Sequence, residues 1–345
     1  MDNQLLLVIL AGGVIAVAFL FAFINGFHDG CNVLATMVSS RSLPPRYALI
    51  LGASSEFLGA IFLGRGVAKT VGLGILNIRF VTLWVVLTAL LGAILWNLIT
   101  WYLGVPSSSS HALIGGLIGS GLAESFLLDS HHLEIVNWVN LGWIFVVLFI
   151  SPPIGFLLGF LVTRVSFFLS RGASSKINRV FKILQVGSSF FIGLTHASND
   201  APKTMGVILM VLSILSLKKG VKVSFTVPDW VVYSSSFFLA LGVLRVGWRI
   251  MRTVGTKIYR IRPIHGFGAQ TGASIIILLS SLTGFPVSTT QIVNSSVMGA
   301  GASEKPKAVR WNVTRSILLT WIITIPLSAI IAAGIYLLIR VLLII

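Results

Sequence analysis

The chain has 345 residues, of which 56% are hydrophobic and 10% charged, whereas a soluble globular domain is about a quarter charged. A mean hydropathy of +0.97 argues against a soluble enzyme, a nucleic-acid reader and a disordered protein alike, and marks a polytopic membrane protein. The formal net charge is +16. Its basic residues lie almost wholly between apolar runs, which is how positive loops set topology rather than how nucleic acid is bound. The single cysteine, Cys31, cannot form an internal disulfide, and no Cys/His cluster has zinc spacing.

At ~20 apolar residues per spanning helix, ten runs can be marked in chain order. They lie near 5–38, 47–64, 81–103, 107–128, 137–163, 186–217, 230–247, 269–284, 287–303 and 316–343. The opening Met-Asp-Asn-Gln lacks the basic start and small-residue cleavage site of a signal peptide, so the first run reads as a retained helix. The first and sixth runs are too long for one plain span and carry polar residues in their second halves. Between the fifth and sixth lies 164–185, with Arg164, Arg171, Lys176, Arg179 and Lys182, which reads as a basic cytoplasmic linker. The odd-numbered loops hold 17 Lys and Arg against 6 in the even-numbered loops, so the odd loops should face the cytoplasm. Both termini are then external, as is the acidic 129–134 stretch.

Two internal matches follow. Val105 to Gly121 lies on Phe285 to Gly301 without a gap, at an offset of 180. Pro106/Pro286, Ser108/Ser288, Gly119/Gly299 and Gly121/Gly301 are identical, and hydroxyls match at Ser109/Thr289 and Ser110/Thr290. His28-Asp29-x-x-Asn32 lies on Asn199-Asp200-x-x-Lys203 at an offset of 171. Five spans per half is an odd number, so the second half enters the membrane reversed, the plan of inverted-repeat transporters. The expected fold is an all-α polytopic bundle of about ten apolar segments in two inverted repeats, with broken helices and re-entrant hairpins. The first repeat covers 1–163, the linker 164–185 and the second repeat 186–345.

Four acids, Asp29, Glu56, Glu124 and Asp200, fall inside apolar runs together with Lys203. A charge there is costly and usually faces a cavity, a partner or an ion path. Glu124 stands near a polar loop and reads as a helix-end residue. Glu56 reads equally as a static ion pair or an ion contact. Asp29 and Asp200, at matched repeat positions, read as functional. Glycines flank His28-Asp29, so the helix can unwind there, and Pro202 suggests a similar interruption beside Asp200. Broken helices present N–H groups to anions, while carbonyls and carboxylates hold cations. His28 and His196 can relay protons, although a buried His more often makes only a structural hydrogen bond.

Ser107–Ser110 and Ser288–Thr290 each follow a proline and precede a glycine-spaced apolar run. The short spacing suggests re-entrant hairpins whose tips meet inside the protein, with hydroxyls and free N–H groups forming an anion-binding end. The plain alternative is a pair of surface helix caps. Gly115, Gly116, Gly119 and Gly121 read as close-packing positions. Two opposed helix ends with Lys203 suit a tetrahedral dianion. The nearby carboxylates then need a cation between them or a proton from the ligand, which implies coupling to H⁺ or Na⁺. Hydrogen phosphate can donate such a proton, and sulfate at neutral pH cannot.

At these residues the chain resembles the low-affinity inorganic phosphate transporter (Pit) family, of the bacterial kind. The likeness covers nearly the whole length. It rests on Asn25-Gly-Phe-His-Asp29, Trp96-Asn-Leu-Ile-Thr-Trp-Tyr102, Pro106-Ser-Ser-Ser-Ser-His-Ala112, Asn199-Asp-Ala-Pro-Lys-Thr-Met-Gly206, Gly247-Trp-Arg249, Pro263-Ile-His-Gly-Phe267, Pro286-Val-Ser-Thr-Thr290 and Ala308-Val-Arg-Trp311. The resemblance implies a symporter of inorganic phosphate in a bacterial plasma membrane, driven by H⁺ or Na⁺, with phosphate or ion contacts at Asp29, Asn32, Asp200 and the two hydroxyl clusters. Family members usually have Thr-Ala in place of Gly30-Cys31, His in place of Gln291 and Glu in place of Gln270, so this chain has lost two ionisable groups.

The resulting substrate and ion set is Asp29, Asn32, Ser108, Ser109, Ser110, Asn199, Asp200, Lys203, Thr204, Ser288, Thr289 and Thr290. Asn25, His28, Glu56 and His196 are candidates for handling the coupling ion, with Na⁺ a candidate at Asp29 and Asp200. No catalytic residue and no cofactor beyond the coupling ion are expected. The expected partners are inorganic phosphate and membrane lipid, with no nucleic acid and a homodimer left open. A sulfate permease of the same fold is the alternative. A lipid-phosphate enzyme would want an acid–base constellation in its loops, where only His265 stands, and a passive anion channel would not need Asp29 and Asp200.

Overall fold

The computed structural model describes residues 3–127, 133–221 and 226–343, so positions 129–132 of the acidic stretch lie outside the described residues. The first half comprises α1 (Asn3–Asp29), α2 (Cys31–Ser39), α3 (Pro45–Leu63), α4 (Gly66–Leu73), α5 (Leu83–Leu103), α6 (Ser109–Leu127) and α7 (Trp138–Leu169). The second comprises α8 (Ile177–Lys218), α9 (Asp229–Leu244), α10 (Trp248–Arg252) running into a π-helical turn (Thr253–Lys257), α11 (Pro263–Leu282), α12 (Thr289–Glu304) and α13 (Trp311–Leu343). The protein is an all-α polytopic membrane protein.

Every one of the ten apolar runs forms helix. Six helices among the described residues are long and apolar enough to cross a membrane, or seven if α9 and α10, bent by 62°, make one span. The hairpin helix α12, with 16 residues, is too short to cross a membrane by itself. It is buried from Thr289 to Ser303, so protein rather than lipid surrounds its Ser, Thr and Asn side chains. Of the 164–185 segment, only 170–176 lies outside helix, because α7 and α8 extend into it from either side.

The order of the helices repeats. The pair α1 and α2 answers to α8, and α3 to α9, through to α7 and α13. The break in the first long helix falls at Gly30, whereas α8 runs unbroken through Pro202, so the interruption expected there is not formed. Helices α3, α4 and α11 pack closely along α8 and support it where a proline alone would loosen it.

The two halves interlock by exchanging partners. Helix α1 packs along α9 while α8 packs along α3, and α6 packs along α13 while α12 packs along α7. The matched Gly119 and Gly299 make the second exchange close: a Cβ on Gly119 would meet the Ala329 carbonyl, and one on Gly299 the Phe156 carbonyl. Helices α5 and α6 form one hairpin and α11 and α12 the other. Each turns next to a glycine in the left-handed region, Gly104 at φ 68° and Gly284 at φ 77°.

The hairpins point in opposite directions along α7. Near the start of α7, Ile135 and Leu76 lie against Gly121 of α6. Near its end, Arg164 donates to the Ser303 carbonyl of α12 at 3.2 Å, and Phe167 stands edge-on to His265 of α11. The open ends of the hairpins are thus on opposite faces of the bundle, and their tips meet between them.

Candidate functional site

All of Ser107–Ser110 and Ser288–Thr290 are buried, so neither cluster is a surface cap. The hydroxyls nevertheless divide their work. Ser108 accepts from the His111 N–H at 3.2 Å and Ser288 from the Gln291 N–H at 3.3 Å, capping α6 and α12 respectively. Ser110 donates to the Val287 carbonyl at 2.8 Å, joining one tip to the other. His111 and Gln291, themselves 180 positions apart, lie 3.2 Å from each other across the junction. Ser109, Thr289 and Thr290 are left to face the carboxylates.

Asp29 collects both tips. Ser109 donates to its Oδ2 at 2.6 Å, Thr290 to its Oδ1 at 3.0 Å, and His28 Nδ1 lies 2.7 Å from Oδ1. Asn32 donates to Thr290 at 3.0 Å, so the helix on each side of Gly30 holds the second hairpin. On α8, Asp200 and Lys203 share a helix face, and Lys203 Nζ donates to Asp200 Oδ1 at 2.7 Å and to Ser109 at 3.2 Å. Thr289 donates to the same Asp200 oxygen at 3.0 Å. One continuous polar path therefore runs from Asp29 through Ser109 and Lys203 to Asp200, and every member is at most 1% exposed.

Asn199 does not face this path. It accepts from the Val287 N–H at 3.0 Å and donates to the Phe285 carbonyl at 3.1 Å, holding the second tip by its backbone. Glu56 lies 3.1 Å from His196 Nδ1, and His196 Nε2 lies 3.8 Å from Asp200 Oδ2, so Glu56 faces the site through His196. The Glu56 oxygens, the His196 nitrogens, Asp200 Oδ2, the Thr204 hydroxyl and both polar atoms of Asn25 have no well-oriented hydrogen-bond partner. Buried polar atoms are normally satisfied, so these atoms are available to a water, an ion or a ligand. Among the described residues no group of three or more His, Cys, Asp and Glu could hold a metal ion.

Thr100 was not singled out as a site residue in the sequence. It bridges His28 Nε2 at 3.1 Å and Ser107 at 2.8 Å. The signal was present, as a polar residue near the end of an apolar run. Gln270 and Gln291, neutral where the resembled family usually has ionisable groups, are both engaged. Gln270 accepts from Ser188 at 2.8 Å and Ser189 at 3.0 Å and donates to the Val33 carbonyl at 3.2 Å.

The sequence profile of the phosphate transporter family matches residues 25–332. This chain belongs to the phosphate transporter family. It is 42% identical to a protein of Rhizobium meliloti named a probable low-affinity inorganic phosphate transporter, over 94% of this chain and 95% of the relative. It is 38% identical to a Bacillus subtilis protein of the same description, over 97% and 98% of the two chains. Its fold is shared with a solved structure titled the sodium-dependent phosphate transporter, at a TM-score of 0.84 and 24% identity, over 97% of this chain and 99% of the other.

Proposed function

We propose that the protein is a secondary active symporter of inorganic phosphate in a bacterial plasma membrane, driven by protons, with both termini external and its two halves inverted. The observation that carries this reading is the buried path Asp29–Ser109–Lys203–Asp200, which takes in the first hairpin tip at Ser109 and receives the second through Thr290 on Asp29 and Thr289 on Asp200. An incoming oxyanion would take the hydroxyl donors and the ammonium, and the released carboxylates would be stabilised by protons. Each carboxylate already has a cationic or protonatable neighbour: His28 beside Asp29, Lys203 beside Asp200 and His196 beside Glu56. Proton transfer can switch such pairs without an added metal cation, which favours H⁺ over Na⁺. The relatives named for inorganic phosphate, and the proton that hydrogen phosphate can give to a carboxylate, favour phosphate over sulfate.

The test is radiolabelled phosphate uptake into proteoliposomes with pH and Na⁺ gradients imposed separately. An inward proton gradient alone should drive accumulation, and excess sulfate should compete poorly. Accumulation driven only by Na⁺ would contradict the coupling, and downhill flux with no response to either gradient would make the protein a channel.

The orientation has its own check. Val221, at the end of α8, and Ser174, between α7 and α8, are both exposed. Cysteines placed there should react with an impermeant maleimide from opposite sides, Val221 from outside and Ser174 from inside. Labelling of both from one side would refute the proposed topology.

A further inference from the structure

The open ends of the two hairpins are closed by carboxylates 180 positions apart, Glu124 on α6 and Glu304 on α12. Each is held by the residue that caps the other helix of its hairpin, and those caps are also 180 positions apart. Thr82 Oγ1 donates to Glu124 Oε2 at 2.9 Å, and Arg262 Nη2 donates to Glu304 Oε1 at 2.5 Å. Beyond that the two ends differ. Around Glu304, whose side chain is 28% exposed, the protein itself supplies the partners: Tyr259 donates to Oε2 at 2.5 Å, and His265 Nε2 lies 3.1 Å from the same oxygen. Beside Glu124 there is instead a cavity of about 580 Å³, within the usual size of a ligand pocket.

The cavity is amphipathic in an ordered way. Thr82, Glu124, Lys218 and Arg340 line its polar part, with both cations close enough to act electrostatically on the carboxylate. Leu6, Leu7, Ile9 and Leu10 of α1 form an apolar wall that continues onto the outer surface of the bundle, where Leu6 and Ile9 are each 55% exposed. Trp84 and Tyr336 also line it, aromatic types that favour the membrane–water boundary. Two cations beside an apolar wall open to the bilayer suit a lipid's phosphodiester and acyl chain together.

We propose that this cavity binds a phospholipid whose headgroup ends in a primary ammonium. Its phosphodiester would lie against Lys218 and Arg340, its ammonium would face Glu124 as Arg262 faces Glu304, and an acyl chain would run along the α1 leucines. The carboxylate selects the class. Once the phosphodiester has engaged Lys218 and Arg340, Glu124 favours a headgroup that brings its own cation, and a quaternary ammonium cannot donate a hydrogen bond to it. The bound lipid would brace the α5–α6 hairpin as Arg262, Tyr259 and His265 brace the α11–α12 hairpin. The proposal does not depend on what the protein carries.

The test uses the full chain, purified in detergent, stripped of lipid and examined by native mass spectrometry with phosphatidylethanolamine, phosphatidylcholine or phosphatidylglycerol. Phosphatidylethanolamine should be retained at least about tenfold more tightly than the other two. Glu124→Gln, which keeps an acceptor for Thr82, should bring phosphatidylethanolamine down to the level of phosphatidylglycerol, and Arg340→Gln should weaken retention of all three. Equal retention of the three lipids by the unaltered protein would overturn the proposal whether or not the variants fold. Displacement of the lipid by millimolar inorganic phosphate would also overturn it, since the cations would then be a site for free anions.

Discussion

Replacing either site carboxylate should abolish phosphate accumulation. Asp29→Asn removes the negative charge onto which Ser109, Thr290 and His28 converge, so both hairpin tips lose their shared anchor. Asp200→Asn removes the partner of Lys203. Breaking a buried ion pair from one side costs about 3–5 kcal/mol, so this variant should also be less stable. The double variant Asp200→Asn/Lys203→Met removes both charges and should recover much of that stability without recovering transport. Uptake assays on variants shown to be inserted and monodisperse would check this. Near-normal accumulation by either single variant would mean that its carboxylate only supports the fold.

Lys203→Met should have the second-largest effect, for a different reason. Lys203 is the one ammonium on the buried path, 2.7 Å from Asp200 and 3.2 Å from Ser109. Without it, Asp29 and Asp200 leave the site too negative to admit an oxyanion. Hydrogen bonds to charged groups contribute about 1.5–3 kcal/mol each, so phosphate affinity should fall about ten- to a hundredfold or more. Raising external phosphate should then restore part of the transport. Equilibrium binding of radiolabelled phosphate to the purified variant measures this directly. Affinity within twofold of the unaltered protein would show that the ammonium serves Asp200 and not the substrate.

Much of the architecture could be read from the chain because it is written twice. The match of Val105–Gly121 to Phe285–Gly301 anticipated two hairpins whose tips meet, and burial of both hydroxyl clusters is what such tips require. The pairing of Asp29 with Asp200 likewise located the carboxylates. What escaped the sequence depends on direction and on neighbours. Spacing along the chain cannot tell a capping hydroxyl from a ligand-facing one, yet Ser108 and Ser288 turn back to their own helices while Ser109 and Thr289 turn toward the carboxylates. Asn199 is next to Asp200 in sequence but points to the tip backbone. Pro202 looked like a break, and tertiary packing kept the helix whole. Glu124 looked like an isolated helix-end acid until Thr82 and the matching Arg262–Glu304 pair gave it a counterpart.

The central claim is that one phosphate binds where the two hairpin tips meet, and a double-mutant cycle on phosphate binding tests it most directly. Ser109 comes from the first tip and Thr289 from the second, and each now donates to a different carboxylate. Phosphate affinity and melting temperature would be measured for Ser109→Ala, Thr289→Ala and the double variant. If both hydroxyls contact one ligand, each single change should weaken binding about tenfold or more, and the double variant should lose less than the sum of the two. If affinity stays unchanged while melting temperature falls in all three, the tips only hold the fold together and phosphate binds elsewhere.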